Sequence, residues 1–263
     1  MRVGIIGFGY VGQAIGWSYQ YKAELVIRDP KLVDSASLDQ LASCDAIFVC
    51  VPSPSTEDGH CDTTILEDTL KELLFVNINK QIPIISKVTA PPGVYARLQE
   101  EYPNLVYCPE FLTAANAVDD YINGKFSIIG GRVRAYQHEA ERIIKLTQPN
   151  LKNVKFCSIS EAALTKYAIN SFLATKVVFM NELRSVAIAS GLDFDTITSM
   201  IKLDERIGNS HMKVPGPDGL FGFGGYCFPK DTAALLKYAE SVNRPLNVLD
   251  AAVKKNTLLR LHG

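Results

Sequence analysis

Short apolar runs alternate with helix-like segments through the first 157 residues of the chain. The runs are rich in β-branched residues and end at turn-forming residues, as buried parallel strands do. Strands that alternate with helices build a doubly wound α/β fold around a parallel sheet. The pattern predicts such a sheet from the strands Arg2–Ile6, Leu25–Arg28, Ala46–Val51, Ile82–Ser86, Leu105–Tyr107, Phe126–Gly130 and Val154–Cys157.

The hydrophobic spacing changes to a helical period after Cys157. Ser158 and Glu161 have the spacing of a capping box, which marks the N-terminus of a helix. Gly191 predicts the end of that helix, because glycine is common just past a helix C-terminus. The apolar positions between these signals are Leu164, Ala168, Phe172, Phe179, Leu183 and Val186.

Three more helices are predicted at Thr196–Lys202, Pro229–Glu240 and Pro245–Leu261, and the last two open with proline in the first turn. The segment Ile207–Gly225 is rich in glycine and proline, which predicts a loop. We therefore expect two domains: an α/β domain over residues 1–158 and an all-helical domain over residues 159–263.

Composition narrows the class of protein. Hydrophobic residues make up 47% of the 28.9 kDa chain, which is enough for an ordinary core. The net charge of −1 argues against a protein that binds nucleic acid through its phosphates. No run of eighteen apolar residues occurs, so no membrane span is expected. The N-terminus enters a glycine-rich turn without a signal-peptide pattern, and we expect a cytoplasmic protein. The six scattered cysteines, without a C-x-x-C pair, predict neither a disulfide framework nor a metal site.

A dinucleotide-binding motif follows the first predicted strand. Gly7-Phe8-Gly9-Tyr10-Val11-Gly12 matches G-x-G-x-x-G and opens a helix, as in a Rossmann-type domain. The helix N-terminus would face the pyrophosphate. Asp29 ends the second strand, where a carboxylate meets the adenosine ribose and repels a 2′-phosphate, so the pattern predicts NAD rather than NADP. The alternative is a glycine turn that holds no ligand.

Other polar residues follow the next strands. Pro52 and Ser53 end the third strand, and Thr89 and Glu110 follow the fourth and fifth. Because ligands bind at the carboxyl ends of parallel strands, we expect these residues to face the binding crevice. A rigid turn without ligand contact is the alternative for Pro52 and Ser53.

The segment from Gly222 to Asp231 carries the chemistry. Its glycines let the backbone pass close to a substrate. Cys227 sits immediately before a predicted helix, whose positive end and whose Lys230 should both lower the thiol pKa from about 8.5. The sequence therefore predicts a nucleophilic thiol. A buried, inert cysteine is the alternative.

Lys166 and Asn170 are four residues apart on the first helix of the second predicted domain, so they share a face. An ammonium and a carboxamide directed at one point can stabilise an oxygen that gains negative charge. Asp231 can accept a proton through water, or it can serve only as a partner of the helix dipole. An exposed lysine above a surface asparagine is the alternative for the pair.

These features together resemble the sugar-nucleotide dehydrogenases of the UDP-glucose 6-dehydrogenase and GDP-mannose dehydrogenase family. The similar motifs span essentially the whole chain, in the order that the family has. Besides the glycine motif, they are Val51-Pro52-Ser53-Pro54, Lys87-Val88-Thr89-Ala90-Pro91, Pro109-Glu110-Phe111-Leu112, Lys166–Asn170, Asn181-Glu182, Asp204-Glu205-Arg206-Ile207-Gly208 and the segment around Cys227.

The resemblance implies NAD-dependent, four-electron oxidation of the C6 alcohol of a nucleotide sugar, most closely UDP-glucose, in polysaccharide biosynthesis. Cys227 would attack the aldehyde intermediate, while Lys166 and Asn170 stabilise the oxyanion. Asp231 would position water, and Glu110 would assist hydrolysis of the thioester.

It also implies contacts to the cofactor and the sugar. Thr89 would support the water network and, with Lys230, contact the cofactor. The residues expected to contact the substrate are Glu110, Phe111, Leu112, Lys166, Asn170, Phe223, Gly224 and Gly225.

Two expectations concern partners. Members of the family usually carry a third domain that closes over the nucleotide, and this sequence ends at Gly263. We expect either a separate chain to complete the nucleotide site, or weak affinity, or a smaller substrate. The resemblance also implies a homodimer through the helical domain.

Two other functions remain open. A two-electron β-hydroxyacid dehydrogenase has a similar size and also uses a lysine and an asparagine four residues apart, but it leaves Cys227 without a role. A non-catalytic NAD- or nucleotide-binding subunit would bind the cofactor without turnover.

Overall fold

The computed structural model describes residues 1–75 and 82–262. Its contacts divide the chain into two compact units. The first comprises Met1–Pro54 and Cys61–Lys166, and the second comprises Ser55–His60 and Tyr167–Gly263. Within the described ranges, no helix combines the length and the apolar character that crossing a membrane requires.

The first unit is built on a seven-stranded sheet with the order β2-β1-β3-β4-β5-β6-β7. The order reverses direction at β1, as in a doubly wound fold, so the predicted α/β class is confirmed. The strands are β1 (Arg2–Ile6), β2 (Glu24–Arg28), β3 (Ala46–Val49), β4 (Ile84–Ser86), β5 (Leu105–Tyr107), β6 (Phe126–Gly130) and β7 (Asn153–Cys157).

One pair of neighbouring strands departs from the predicted parallel arrangement. β5 and β6 pair antiparallel, with Tyr107 opposite Gly130, so β6 and β7 run against the first five strands. The helix between β5 and β6 is Ala117–Ile122, which spans only about 9 Å. β6 starts from the edge of the sheet where β5 ends.

Helices cover both faces of this sheet. Ile47 and Leu105 belong to one buried cluster, while their neighbours Phe48 and Val106 belong to the other, because successive strand residues point to opposite faces. The helices of the unit are α1 (Tyr10–Tyr19), α2 (Leu38–Leu41), α3 (Thr64–Phe75), α4 (Pro92–Glu101), α5 (Ala117–Ile122), α6 (Arg134–Lys145) and the first part of α7 (Ile159–Ala189).

α7 begins as predicted. Ser158 and Glu161 form a reciprocal capping box: the backbone N–H of Ser158 donates to Glu161 Oε2 at 2.7 Å, and that of Glu161 donates to Ser158 Oγ at 3.3 Å. Gly191 follows the helix with a φ of +69°, which confirms the predicted stop.

The second unit is helical. Beyond its part of α7 it contains α8 (Phe194–Ile201), α9 (Cys227–Ser241) and α10 (Asn247–His262), joined by the predicted loop between α8 and α9. Among its described residues, two small hydrophobic cores can be distinguished. Met180, Phe194 and Met212 lie in one, and Val178 and Phe223 lie in the other.

Candidate active site

The three glycines of the turn in the first unit have different surroundings. Gly7 has a φ of +86°, and a Cβ there would lie 2.8 Å from the backbone of Cys50. A Cβ on Gly12 would collide with the carbonyl oxygen of Gly7. A Cβ on Gly9, the N-cap of α1, would meet no described atom within 4 Å. Packing therefore demands Gly7 and Gly12, whereas Gly9 keeps the approach to the N-terminus of α1 open.

Asp29 lies beside this turn. The backbone N–H of Phe8 donates to Asp29 Oδ2 at 2.6 Å, and that of Lys31 donates to Oδ1 at 2.8 Å. These hydrogen bonds, that from Phe8 foremost, hold the pKa of the carboxyl below its usual range. A charged acceptor at the end of β2 and the N-terminus of α1, where Tyr10 and Val11 are half-buried, fit a dinucleotide.

Residues that follow β3 and β4 are in contact. The hydroxyl of Ser53 donates to the carbonyl oxygen of Thr89 at 2.8 Å, and Cys61 Sγ donates to the same oxygen at 3.4 Å. Ser53 and Thr89 are both buried, while Pro52 is exposed. The structure thus brings two of the predicted cofactor residues into direct contact.

Glu110 and Lys166 form a buried ion pair in the first unit. Lys166 Nζ donates to the Glu110 carbonyl oxygen at 2.5 Å and lies 3.3 Å from Glu110 Oε1. The second carboxylate oxygen accepts from the N–H of Leu112 at 2.8 Å. The ammonium also lies 5.1 Å from the ring centroid of Phe111. Four residues predicted to contact substrate therefore belong to one cluster.

A second buried network lies in the second unit. Asp231 is 1% exposed. Its Oδ2 accepts from Asn170 Nδ2 at 2.5 Å, and its Oδ1 pairs with Lys230 Nζ at 2.5 Å. Both carboxylate oxygens thus orient other side chains. Lys230 was predicted to contact the cofactor, and its ammonium is directed at Asp231.

Cys227 is the first residue of α9, which begins two residues earlier than the sequence predicted. The backbone N–H groups of a first helical turn have no partner within the helix and carry partial positive charge. The residue is partly exposed rather than sealed in the core. Its position therefore suits a reactive thiol better than an inert one.

Asparagine side chains hold the loop that leads to Cys227, and motif reasoning assigned them no such role. Asn256 on α10 accepts from the N–H of Phe223 at 2.7 Å and donates to the carbonyl of the same residue at 3.0 Å. Asn181 accepts from the N–H of Gly222 at 3.1 Å. Gly222 needs its glycine because a Cβ would strike Asn256 Oδ1. The sequence signal for this role is Asn256 itself, a carboxamide on the apolar face of the last predicted helix.

The remaining predicted residues of this loop differ in exposure. Phe223 is buried, Gly224 is half-buried and Gly225 is exposed with a φ of +75°. A Cβ on Gly224 would collide with the guanidinium of Arg260, which itself pairs with Asp218 at 2.7 Å. α10 therefore supports the glycine loop at two points one helical turn apart.

Family models match most of the chain. The NAD binding domain of the UDP-glucose/GDP-mannose dehydrogenase family matches residues 23–148, and the central domain of that family matches residues 160–258. The chain belongs to the UDP-glucose/GDP-mannose dehydrogenase family. The resemblance in the motifs is thereby confirmed, and NAD is the cofactor of the domain that contains the glycine turn.

Named members of the family are similar over most of this chain. UDP-glucose 6-dehydrogenase of Rickettsia conorii is 34% identical over 83% of the chain and 50% of its own length. The AglM enzyme of Haloferax volcanii, with the same activity in its name, is 33% identical over 89% of the chain and 57% of its own length. TuaD of Bacillus subtilis is 29% identical over 99% of the chain. The chain spans 64% of the length of the Bacillus subtilis relative and 50% of the length of the Rickettsia conorii relative.

Solved structures share the fold. A UDP-glucose dehydrogenase from Pyrobaculum islandicum has a TM-score of 0.82 at 24% identity, over 98% of this chain and 68% of its own. The 3-hydroxyisobutyrate dehydrogenase of Mycobacterium tuberculosis has a TM-score of 0.77 at 13% identity, over 99% of this chain and 94% of its own. At sequence identities of 24% and 13%, these similarities show a shared fold and nothing more.

Proposed function

We propose that this protein is an NAD-dependent nucleotide-sugar dehydrogenase that oxidises a C6 primary alcohol to the carboxylate, with UDP-glucose as the preferred substrate. The observation that carries the proposal is a partly exposed thiol in the first turn of α9, in the same unit as the buried Asn170–Asp231–Lys230 network. The names of the relatives, UDP-glucose 6-dehydrogenases, support the choice of substrate.

Cofactor binding falls to the first unit. The N-terminus of α1 at Gly9 would hold the pyrophosphate, and Asp29 would accept from a ribose hydroxyl. When bound, NAD supplies the acceptor for a hydride that leaves the substrate carbon. Ser53 keeps the Thr89 backbone in place beside this region through its 2.8 Å hydrogen bond.

The thiol makes the second oxidation possible. An aldehyde carbon bears no leaving hydride until it becomes tetrahedral. The Cys227 thiolate supplies that geometry by bonding to the carbonyl carbon, whose oxygen takes up the negative charge of the new thiohemiacetal. Loss of hydride leaves a thioester. Addition of water then breaks the C–S bond, which gives the carboxylate and restores the thiolate.

The polar side chains would stabilise the charges that develop during the reaction. Asn170 would donate to the oxyanion, and Asp231 orients the carboxamide by accepting its other hydrogen. Lys166, in the role that the family motif predicts for it, would stabilise negative charge on an oxygen. Glu110, which already orients Lys166, would take the proton from the hydrolytic water.

The stoichiometry of the reaction tests this proposal. Purified protein incubated with limiting UDP-glucose and excess NAD is expected to form two NADH per sugar, with UDP-glucuronate as product, because the substrate loses four electrons. NADH absorbance and chromatography of the product measure both. One NADH per substrate would support a β-hydroxyacid dehydrogenase instead. NAD binding without turnover on a panel of nucleotide sugars would support a non-catalytic subunit.

A second copy of the chain is the proposed partner of the helical unit. Phe172, Phe179 and Val186 recur at seven-residue intervals on α7 and are 70%, 60% and 61% exposed. A stripe of this kind is typical of an interface.

Phe179→Glu is expected to convert a dimer into a monomer, because it buries a charge in that interface. Size-exclusion chromatography with light scattering measures the mass. Leu203→Glu is the matched control, since Leu203 is 82% exposed outside the stripe and should leave the mass unchanged. A wild-type monomer at micromolar concentration would contradict the dimer.

A further inference from the structure

A polar cavity opens in the first unit where β4 and β5 end and β6 begins. Its volume is about 120 Å³, several times the roughly 10–15 Å³ that a single water needs on such a measure. The polar side chains that line it are Lys87, Glu110, Asp120, Lys125, Ser127 and Gln148. A cavity of this size admits a small ligand together with a few waters.

Lys87 is the unusual member of this lining. It follows β4 and is 7% exposed. Its ammonium lies 5.9 Å from the ring centroid of Tyr121, and it forms no salt bridge with any residue in the described ranges. A buried cation is costly unless an anion or a set of acceptors compensates it. The ring alone, at the far limit of a cation–π contact, compensates it weakly.

Two more buried polar side chains accompany Lys87. Ser127 is 7% exposed and Gln148 is 8% exposed. Neither side chain makes a hydrogen bond to a residue in the part of the chain that the structure describes, although most buried polar groups have such a partner. A hydroxyl and a carboxamide therefore add donors to the ammonium on the wall of one cavity.

The two acids on the wall are already engaged. Glu110 is paired with Lys166 and accepts from the N–H of Leu112. Asp120 accepts from the N–H and the hydroxyl of Thr113, at 2.8 and 2.6 Å. The wall carries two lysines, Lys87 and Lys125, and two acids. Because both acids already have partners, the buried ammonium of Lys87 is left for an anionic ligand.

We propose that this cavity binds a small oxyanion, a phosphate or a carboxylate group, with Lys87 as its counter-ion and Ser127 and Gln148 as hydrogen-bond donors. The ammonium supplies the charge, and the two neutral donors match the remaining oxygens of such a group. Glu110, Phe111 and Leu112 on this wall are also among the residues expected to contact the sugar. The inference concerns anion binding alone, so it can fail independently of the proposed dehydrogenase activity.

Calorimetric titration of the full chain with inorganic phosphate, and separately with acetate, at constant ionic strength and without NAD or sugar, tests the proposal. Saturable binding of at least one of the two is expected, and comparison of the two affinities distinguishes a phosphate site from a carboxylate site. Lys87→Met should weaken that binding about tenfold to a hundredfold, because it removes a charge-assisted hydrogen bond while keeping most of the side-chain volume.

Two further variants keep the result interpretable. Lys71→Met removes an exposed lysine of α3 and should leave the affinity unchanged. Ser127→Ala changes little volume and should weaken binding about threefold to tenfold, which tests the site even if Lys87→Met fails to fold. Absence of saturable binding of either anion by the wild type, or equal affinity in Lys87→Met or Ser127→Ala, would overturn the proposal.

Discussion

Cys227→Ala is expected to lower the rate of acid formation from the nucleotide sugar by at least about a thousandfold, because neither the covalent thiohemiacetal nor the thioester can form without the thiol. The first oxidation, of alcohol to aldehyde, needs no thiol. The variant should therefore form at most one NADH per sugar and release an aldehyde, which hydroxylamine traps as an oxime. Product analysis by mass spectrometry measures acid and oxime separately.

A second cysteine provides the matched control for this experiment. Cys157 on β7 is also partly exposed, but burial raises the pKa of its thiol, so it should be unreactive. Cys157→Ala is expected to keep the wild-type yield of acid. Acid formation by Cys227→Ala at the wild-type rate would refute the thiol mechanism.

Asp231→Ala is expected to lower the free energy of unfolding by about 3–5 kcal/mol, because removing one partner of a buried ion pair strips the other of its compensation. The change takes the carboxylate from Lys230, which is 7% exposed, and the acceptor from the Asn170 carboxamide. Urea denaturation followed by circular dichroism measures the loss, as a lower midpoint at similar slope.

An exposed ion pair on the same unit is the comparison. Asp250 pairs with Lys254 one turn later on α10, and the two side chains are 45% and 75% exposed. Asp250→Ala should cost no more than about 0.5 kcal/mol, because solvent screens a surface pair of this kind. Equal destabilisation by the two substitutions would show that the buried network contributes no more to stability than a surface contact.

Local sequence signals predicted most of the secondary structure. The glycine motif, the capping box at Ser158 and the stop at Gly191 each act through neighbours a few residues away, and each appears in the structure as predicted. The start of α9 was less accurate, because Pro229 tolerates the third helical position as well as the first. That shift of two residues places Cys227 inside the helix.

The sequence alone determined the class of fold and the glycine turn with its NAD preference, because periodicity and short-range turn chemistry express them. Residue type and spacing also predicted the candidate reactive groups. Only the tertiary structure decided that Asp231 orients Asn170 and Lys230, that Glu110 orients Lys166, and that Asn256 holds the loop before Cys227. Only the tertiary structure, too, shows that β6 runs antiparallel to β5 and that Lys87 is buried beside a cavity. These contacts join residues that lie far apart in the chain, where spacing carries no information, and which groups meet is set by the packing of helices and strands.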